Sequence, residues 1–349
     1  MAANSWGSRF VVTTFGESHG KALGVVVDGC PSQIFFDQEL LLKNLNRRRP
    51  GASGNKQSPV SSRQEQDLPH LLSGVFEGKT LGTPIAITVT NQDQRPQDYQ
   101  AIKHSPRPGH ADDVWRDKFG HVDYRGGGRS SGRETLCRVI AGSIAQMLLR
   151  EVSPDTQVIG FARAIGPVSM ADSEVIRFLQ TVESTDQVDQ FPVRLPVDGR
   201  AEQIQELLLA AKQEGKSYGG VVQILVKNPP ANLGQPVFHK LKADLVAALM
   251  SVGAVCGVEL GDALLARKSE GSQFHGELSQ SQYGGIRGGI STGEDLRLQV
   301  SFKPTASVLH RAVQGRHDPC IIPRAIPVLE AMVHMVLADH WLWSKTDRL

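Results

Sequence analysis

Three side chains that could transfer protons stand in short loops that contain glycine. His19 lies in the string FGESHG, His110 in RPGHAD and Asp318 in GRHDPC. An imidazole titrates near neutral pH and a carboxylate can accept a proton, so both groups suit general acid–base chemistry. Each also has a structural alternative, because a histidine can serve a turn and an aspartate can cap a helix. The residue types therefore predict candidate proton-transfer groups, and their neighbours must decide between the alternatives.

The segment from Gly109 to Arg133 combines one of these histidines with a dense set of arginines. It reads GHADDVWRDKFGHVDYRGGGRSSGR, and apolar residues at helical spacing follow it from Glu134 to Arg150. A glycine-rich loop that enters a helix N-terminus presents free N–H groups and the positive end of the helix dipole to an anion. A solvated surface loop is the alternative. Because guanidinium groups bind phosphate and carboxylate in a bidentate manner, the segment favours an anion site.

Three adjacent arginines, Arg47 to Arg49, end a helix that the leucine spacing predicts for residues 37–46. One arginine would be enough to complement the helix dipole at this end. Three in a row indicate an anionic ligand, because charge-assisted hydrogen bonds to phosphate or carboxylate are strong.

The remaining pattern predicts the elements that must hold these loops in place. Apolar, β-branched runs predict strands, and apolar residues at helical spacing predict helices. The predicted strands are residues 10–14, 23–27, 71–77, 84–90, 158–165, 221–226, 258–260 and 296–302, and the predicted helices are 37–46, 134–150, 173–181, 201–214, 241–252 and 323–341. The candidate loops fall at the ends of elements, where a rigid scaffold can position them. The sequence therefore predicts a pocket for a small molecule with several negative charges.

Composition and motifs exclude several classes of protein. The 349 residues carry a net charge of +2, which is too balanced for a nucleic-acid binder that relies on bulk charge. No Walker or Rossmann glycine pattern is present. Four widely spaced cysteines indicate neither a zinc site nor a disulfide framework, so we expect no bound metal. Without an evident signal peptide or a run of about 18 apolar residues, we expect a cytoplasmic protein that does not contact membranes.

Taken together, the loops resemble those of chorismate synthases. The matching strings are FGESHG, RRRPG, LSGVFEGKTLGTPIA, RPGHAD, DYRGGGRSSGRET, GGIRGGISTGED, KPTAS and GRHDPC, in the family's order and across nearly the whole chain. The resemblance implies an α+β fold, a β-α-β sandwich that forms a single large domain of the chorismate synthase type over residues 1–349. Length alone would also allow two domains. The resemblance further implies a homotetramer.

The same resemblance implies a reaction. It is the 1,4-anti elimination of phosphate from 5-enolpyruvylshikimate 3-phosphate to give chorismate, with reduced FMN required although no net redox change occurs. By resemblance His19 protonates the departing phosphate, and His110 protonates or stabilises the reduced flavin. Asp318 assists proton removal at the flavin N5. NADPH remains an open alternative as the source of electrons, beside a separate reductase.

Binding residues are implied position by position. The positions that match the family's FMN contacts are Arg129, Ser130, Ser131, Gly253, Ala254, Gly288, Lys303, Pro304, Thr305, Ala306, Ser307 and Arg316. Those that match its substrate or NADP contacts are Ser18, Arg48, Arg49 and Arg133. Two positions depart from the pattern. Gly54 stands where an arginine is common, with Lys56 nearby, and Gly253 stands where Asn or Gln is usual, so we expect a main-chain flavin contact there.

Two other hypotheses compete with this enzyme. A polyanion- or RNA-binding protein could use the arginine-rich loops, and its binding would fall steeply with salt. The scarcity of aromatic residues beside the arginines argues against it. An inactive homologue that binds flavin without turnover is the other alternative, because of the departures at Gly54 and Gly253.

Overall fold

The structure is a computed structural model, and it describes residues 2–49, 67–91, 106–107, 109–197, 199–275, 280–306, 308 and 318–348. The predicted cofactor residues Ser307 and Arg316 lie outside the described residues, as do Gly54 and Lys56. Within the described ranges, helices lie between two five-stranded sheets.

The first of these sheets comes from the N-terminal part of the chain. Strands in this part are β1 (Ser5–Trp6), β2 (Val11–Phe15), β3 (Ala22–Asp28), β4 (Ser32–Phe35), β5 (Pro69–Ser73), β6 (Val75–Phe76), β7 (Lys79–Leu81) and β8 (Ile85–Thr90). Five of them form an antiparallel sheet in the order β1-β2-β3-β8-β5, and β4-β7-β6 form a smaller one. In β3 the side chains of Leu23, Val25 and Val27 are fully buried at every second position, so one face of the sheet points into the core.

The second five-stranded sheet is formed by later strands. They are β9 (Gln157–Ile165), β10 (Val168–Ser169), β11 (Gly220–Lys227), β12 (Val255–Leu260) and β15 (Leu296–Phe302), and the hairpin of β13 (Ile286–Arg287) and β14 (Ile290–Ser291) precedes the last of them. The order is β10-β9-β11-β15-β12, again antiparallel. The side chains of Leu296, Leu298 and Val300 on β15 are fully buried, which gives this sheet its own inner face.

Two long helices lie between the inner faces of the two five-stranded sheets, and the other described helices are shorter. The helices are α1 (Gln38–Arg48), α2 (Asp112–Phe119), α3 (Thr135–Val152), α4 (Asp172–Thr181), α5 (Thr185–Asp189), α6 (Ala201–Gln213), α7 (Leu241–Met250), α8 (Ala263–Ala266), α9 (Gly271–His275) and α10 (Ile322–Ser344). α3 packs on β3 of the first sheet, α10 packs on β9 and β11 of the second, and α3 packs on α10. This arrangement confirms the predicted β-α-β sandwich and the α+β class.

The contact between α3 and α10 depends on a small residue. A Cβ built on Gly142 of α3 would lie 2.4 Å from Cα of Ala331 on α10, so the helices approach closely there. α10 is long and apolar enough to cross a membrane by length and composition, whereas the sequence pattern predicts no such segment. In its most apolar stretch of 18 residues, 89% is buried inside the protein, as expected for a core helix.

A buried carboxylate on α10 anchors the N-terminal segment. Asp339 accepts hydrogen bonds from the main-chain N–H groups of Ser8, Arg9 and Phe10, at distances between 2.5 and 3.0 Å. Three donors can stabilise a carboxylate that is removed from water. This contact holds the segment before β2 against the core, and the other end of β2 leads into the loop that carries His19.

The predicted elements are largely found, with one difference close to the site. The helix predicted for residues 37–46 is α1, and the carboxylate of Asp37 caps it by accepting a hydrogen bond from the N–H of Leu40 at 2.9 Å. The sequence also predicts that the glycine-rich loop runs directly into a helix. That helix is α3, which begins at Thr135, and the glycines lie in a 3₁₀ turn, Arg125–Ser130, that reaches it through a second turn, Gly132–Glu134. The difference is α2, which lies in the same segment before the glycines and was not predicted.

Candidate active site

The three consecutive glycines, Gly126 to Gly128, form a turn that touches both candidate histidines. Their φ angles are 62°, 83° and 52°, a left-handed conformation that favours glycine. A Cβ built on Gly126 would lie 2.2 Å from the His19 ring, and one built on Gly127 would lie 2.8 Å from Cε1 of His110. The two imidazoles therefore pack on adjacent residues of one turn, although they are 91 positions apart in the sequence.

The His19 ring is oriented by the serine before it. The hydroxyl of Ser18 lies 3.1 Å from Nδ1 of His19 and donates to the main-chain oxygen of Arg125 at 3.2 Å. Since that hydroxyl has one proton to give, it accepts the proton of Nδ1. The Nε2 atom of a neutral His19 is then the unprotonated nitrogen. Ser18, predicted as a substrate-binding residue, is buried in this position.

His110 has a carboxylate partner that the sequence analysis did not single out. Nδ1 of His110 lies 2.7 Å from Oδ1 of Asp112, and Arg107 pairs with the other oxygen of that carboxylate at 2.8 Å. Burial alone would raise the pKa of Asp112, but the hydrogen bonds from His110 and Arg107 outweigh it and hold the pKa well below its usual range. Asp112 is therefore ionised beside His110.

The predicted flavin-binding residues Arg129, Ser130 and Ser131 follow the glycine turn and hold its shape. Arg129 donates to Oγ1 of Thr14 at 2.5 Å and to the main-chain oxygen of Gly16 at 3.2 Å, which ties the turn to the end of β2. Ser130 donates to the oxygen of Gly127 at 2.6 Å. Ser131 accepts from the N–H of Arg133 at 3.3 Å, at the start of the second 3₁₀ turn.

A partly buried acid faces the same turn. A Cβ built on Gly128 would lie 3.0 Å from Oε2 of Glu17. Burial raises the pKa of Glu17, the charge of Arg129 opposes that shift, and the charge of Asp123 adds to it. Glu17 therefore keeps its proton to a higher pH than an exposed glutamate does.

The loop from Lys303 to Ala306 reaches the site from the second sheet. Lys303 donates from Nζ to the main-chain oxygen of Gly109 at 3.2 Å, directly before His110. Thr305 donates from Oγ1 to the main-chain oxygen of Asp318 at 3.1 Å. The N–H of Lys303 donates to the oxygen of Ala254 at 3.0 Å. One loop thus connects His110, Asp318 and the Gly253–Ala254 segment, and Pro304 lies within it.

Asp318 offers one oxygen to a ligand. Its Oδ2 atom is paired with Arg324 in the first turn of α10, whereas Oδ1 is buried and has no hydrogen-bond partner in the described part of the chain. A buried carboxylate oxygen without a donor is costly, so it indicates a place for a ligand N–H or O–H. A Cβ built on Gly253 meets no described atom within 4 Å, so the main chain there is accessible on that side. The unpartnered oxygen of Asp318 fits a ligand with an N–H donor.

Gly288 is placed differently from the other predicted cofactor residues. It lies in the turn between β13 and β14, at a φ of 61°, and a Cβ built on it meets no atom of the described residues within 4 Å. The β13–β14 hairpin packs on α7, which leads to Gly253. The described contacts do not join Gly288 to either histidine.

Arg48 and Arg133, predicted to bind the substrate, meet at a buried acid. The side chain of Asp67 has 0% exposure and lies 3.2 Å from Nη1 of Arg48 and 2.5 Å from Nη1 of Arg133. Asn91 extends this chain of contacts, because it accepts from Nε of Arg133 at 3.2 Å and donates to the main-chain oxygen of Gly20 at 2.8 Å. The arginine pair is thereby connected to the loop of His19.

The other two arginines at the end of α1 have different surroundings. Arg47 is buried and pairs with Asp189 at 2.6 Å and with Glu330 on α10, so it belongs to the core. The interpretation that all three arginines indicate a ligand is therefore wrong for Arg47, because acidic side chains of the protein already pair with it. Those partners are far away in the sequence, so the local pattern could not show them. Nε of Arg49 is buried and has no hydrogen-bond partner among the described residues. It remains available as a donor.

Sequence reasoning missed Asp67, Arg107, Asp112 and Arg324. Arg107 and Asp112 stand in the RPGHAD string beside His110, so the local sequence held a signal for them. Asp67 ends a polar stretch with no periodicity, and Arg324 looks like any charged residue near a helix start. For these two residues only the fold brings the partners together.

Comparison with known proteins agrees with the geometry. The family model described as chorismate synthase matches residues 10–342. A chorismate synthase of Bdellovibrio bacteriovorus is 60% identical over 349 residues, 100% of both chains, and one of Methanosarcina mazei is 43% identical over 368 residues, 99% of this chain and 97% of the relative. A solved crystal structure of chorismate synthase matches with a TM-score of 0.77 at 27% identity, over 97% of this chain and 93% of that one. The chain belongs to the chorismate synthase family.

Proposed function

We propose that the chain catalyses the family's reaction in a pocket bordered by the glycine turn, the loop of residues 303–306 and the first turn of α10. The reaction is the elimination of phosphate from 5-enolpyruvylshikimate 3-phosphate to give chorismate, a step of the shikimate pathway towards the aromatic amino acids. One observation carries the proposal. His19, His110 and Asp318 come from three distant loops, and contacts through the glycine turn, Lys303 and Thr305 connect all three.

The arginines and His19 handle the leaving phosphate. A departing phosphate develops negative charge, which needs cations and a proton donor close by. Arg133 is connected through Asn91 to the His19 loop, and Nε of Arg49 is a donor without a partner in the described ranges. In this assignment His19 in its imidazolium form gives the proton on Nε2 to the phosphate oxygen, while Ser18 holds the Nδ1–H side of the ring in place.

Reduced FMN, when bound, supplies electron density that helps the phosphate to leave and takes up a hydrogen from the substrate, so that no net redox change results. The unpartnered Oδ1 atom of Asp318 would accept the proton from the flavin N5, and the loop that contacts Asp318 through Thr305 also contacts Gly109, next to His110, through Lys303. The main chain at Gly253 and Ala254, the side chains of residues 129–131 and the loop of residues 303–306 complete the assignment. Gly288, Ser307 and Arg316 are included by their position in the family's motifs alone. NADPH is kept as an alternative electron source.

The proposal includes a homotetramer of one-domain subunits spanning residues 1–349, located in the cytoplasm. Support for association comes from exposed apolar side chains on the small sheet and the adjacent edge strand β5. Phe35 is 59% exposed, Phe76 64% and Leu72 64%, and an apolar face of this kind is usually covered by a partner.

An anaerobic assay tests the function. The purified chain is mixed with 5-enolpyruvylshikimate 3-phosphate and FMN that has been reduced with dithionite, and chorismate is measured by its absorbance. We expect chorismate with reduced FMN and none with oxidised FMN. Flavin binding without any chorismate would identify the chain as an inactive homologue and refute the proposal.

A further inference from the structure

The ring of His110 lies between the carboxylate of Asp112 and the guanidinium group of Arg107. Nδ1 is 2.7 Å from Oδ1 of Asp112. Nη2 of Arg107 is 3.1 Å from Nδ1 and 3.1 Å from Nε2. An atom at equal distance from both ring nitrogens cannot lie in the ring plane without overlapping ring carbon atoms, so the guanidinium group lies over the ring face. Asp112 is the closer of these two partners to Nδ1, and it is the one that can accept a proton, because a guanidinium group only donates.

Asp112 is itself locked by Arg107. Nε and the main-chain N–H of Arg107 donate to Oδ2 at 2.8 and 3.1 Å, and Nη2 donates to Oδ1 at 3.0 Å. The side chain of Asp112 is 6% exposed, so water competes little for its oxygens. An ionised carboxylate only accepts hydrogen bonds. Nδ1 of His110 must therefore carry the proton that this contact uses.

We propose that Asp112, locked by Arg107, is a positioning residue that fixes the Nδ1–H tautomer of His110 and leaves Nε2 as the nitrogen that faces the ligand pocket. The inference rests on the proposed function of His110. In the imidazolium form, the proton that leaves is the one on Nε2, and Nδ1–H stays with Asp112. The imidazole is then neutral and keeps its orientation.

A purely structural role for Asp112 is the competing explanation. Asp112 is the first residue of α2, and its hydrogen bond with the N–H of Arg107 also joins Arg107 to the start of that helix. Asp112→Asn separates the two roles because it preserves size and shape. In this variant Arg107 will hold the oxygen of the new side-chain amide, and the NH₂ group of that amide then faces Nδ1 of His110. This arrangement selects the Nε2–H tautomer, as the equivalent substitution does in serine proteases.

The test is an NMR measurement on the full chain labelled with ¹⁵N-histidine, at alkaline pH where the imidazole is neutral. The His110 signal is identified by its loss in His110→Gln. The charged groups that face the ring or its loop are Arg107, Asp112 and Lys303, and none of these changes in the control Asp113→Asn, whose side chain is exposed. We expect a protonated Nδ1 in the wild type and in the control, and a protonated Nε2 in Asp112→Asn. An unchanged tautomer in Asp112→Asn would overturn the proposal.

Kinetics add a second readout. Asp112→Asn should lower kcat by about 10²-fold, the usual order for lost general acid–base catalysis, and leave KM for the substrate nearly unchanged. Asp112→Glu restores the charge and should recover part of kcat. If His110→Gln is fully active, the proposed function of His110 fails; if His110→Gln is slow but Asp112→Asn has a normal kcat, only the positioning role fails.

Discussion

Replacing Gly126 with alanine tests whether the glycine turn sets the position of His19. A Cβ at this position would lie 2.2 Å from Cε1 and Nδ1 of the His19 ring. Because non-bonded atoms rest about 3.5–4.0 Å apart, the ring must retreat by roughly 1.3 Å. The φ of 62° adds a backbone cost for alanine of about 1–2 kcal/mol.

The two effects should separate in the data. A misplacement of about 1 Å can lower a rate by about 10²-fold, so we expect that loss in kcat for Gly126→Ala. The free energy of unfolding should fall by only about 1–2 kcal/mol, which leaves the protein folded. The assay is anaerobic chorismate formation with reduced FMN, together with urea unfolding of the same samples.

Gly132→Ala is the matched control in the same segment. A Cβ there meets none of the described atoms within 4 Å, and its φ lies outside the left-handed region. We expect normal kcat for this variant. A normal kcat in Gly126→Ala would show that His19 is not held against the turn, or that its position is unimportant, and either result would refute the reasoning.

Three further predictions concern stability. Asp339→Ala removes the acceptor of three main-chain N–H groups and should lower the free energy of unfolding by about 3 kcal/mol, seen as a lower urea midpoint; an unchanged midpoint would contradict the anchoring role. Glu330→Gln breaks the buried ion pair with Arg47 and should lower the free energy of unfolding by about 3–5 kcal/mol. Asp186→Asn breaks an exposed ion pair with Lys43 and should change the free energy of unfolding by less than about 1 kcal/mol. Burial lowers the pKa of His334 to about 4, below the value of about 6.5 that a histidine has in the unfolded chain. Since the unfolded chain binds the proton first, the contribution of His334 to the free energy of unfolding is largest above about pH 6.5 and falls as the pH decreases towards 4. His334→Gln should flatten that part of the stability–pH curve, and an identical slope in the variant would exclude the histidine as its source.

The scaffold could be predicted because its signals are local. α3 and α10 carry apolar residues at helical spacing over many turns, and β3 and β15 alternate buried and less buried side chains, so each element is visible in a short window. α2 was not predicted because it has only eight residues, so that Val114, Trp115 and Phe119 give a short apolar signal, and none of its residues is buried.

Contacts across the chain could not be predicted from such windows. Arg47 and Arg48 are adjacent, yet Arg47 pairs with Asp189 and Glu330 in the core while Arg48 pairs with Asp67. Nothing in the string RRRPG distinguishes the two. Residue types identified His19 and His110 as candidates, but their shared contact with one glycine turn follows from the fold.

A double-mutant cycle between His110 and Asp318 tests the central claim most directly, because these residues are 208 positions apart and are joined through Lys303 and Thr305. His110→Ala, Asp318→Ala and the double variant are compared in the anaerobic assay with reduced FMN. If both residues serve one reaction centre, each single variant loses about 10²-fold or more in kcat, and the double variant loses much less than the product of the two. Losses that multiply fully, or full activity in either single variant, would contradict a shared site.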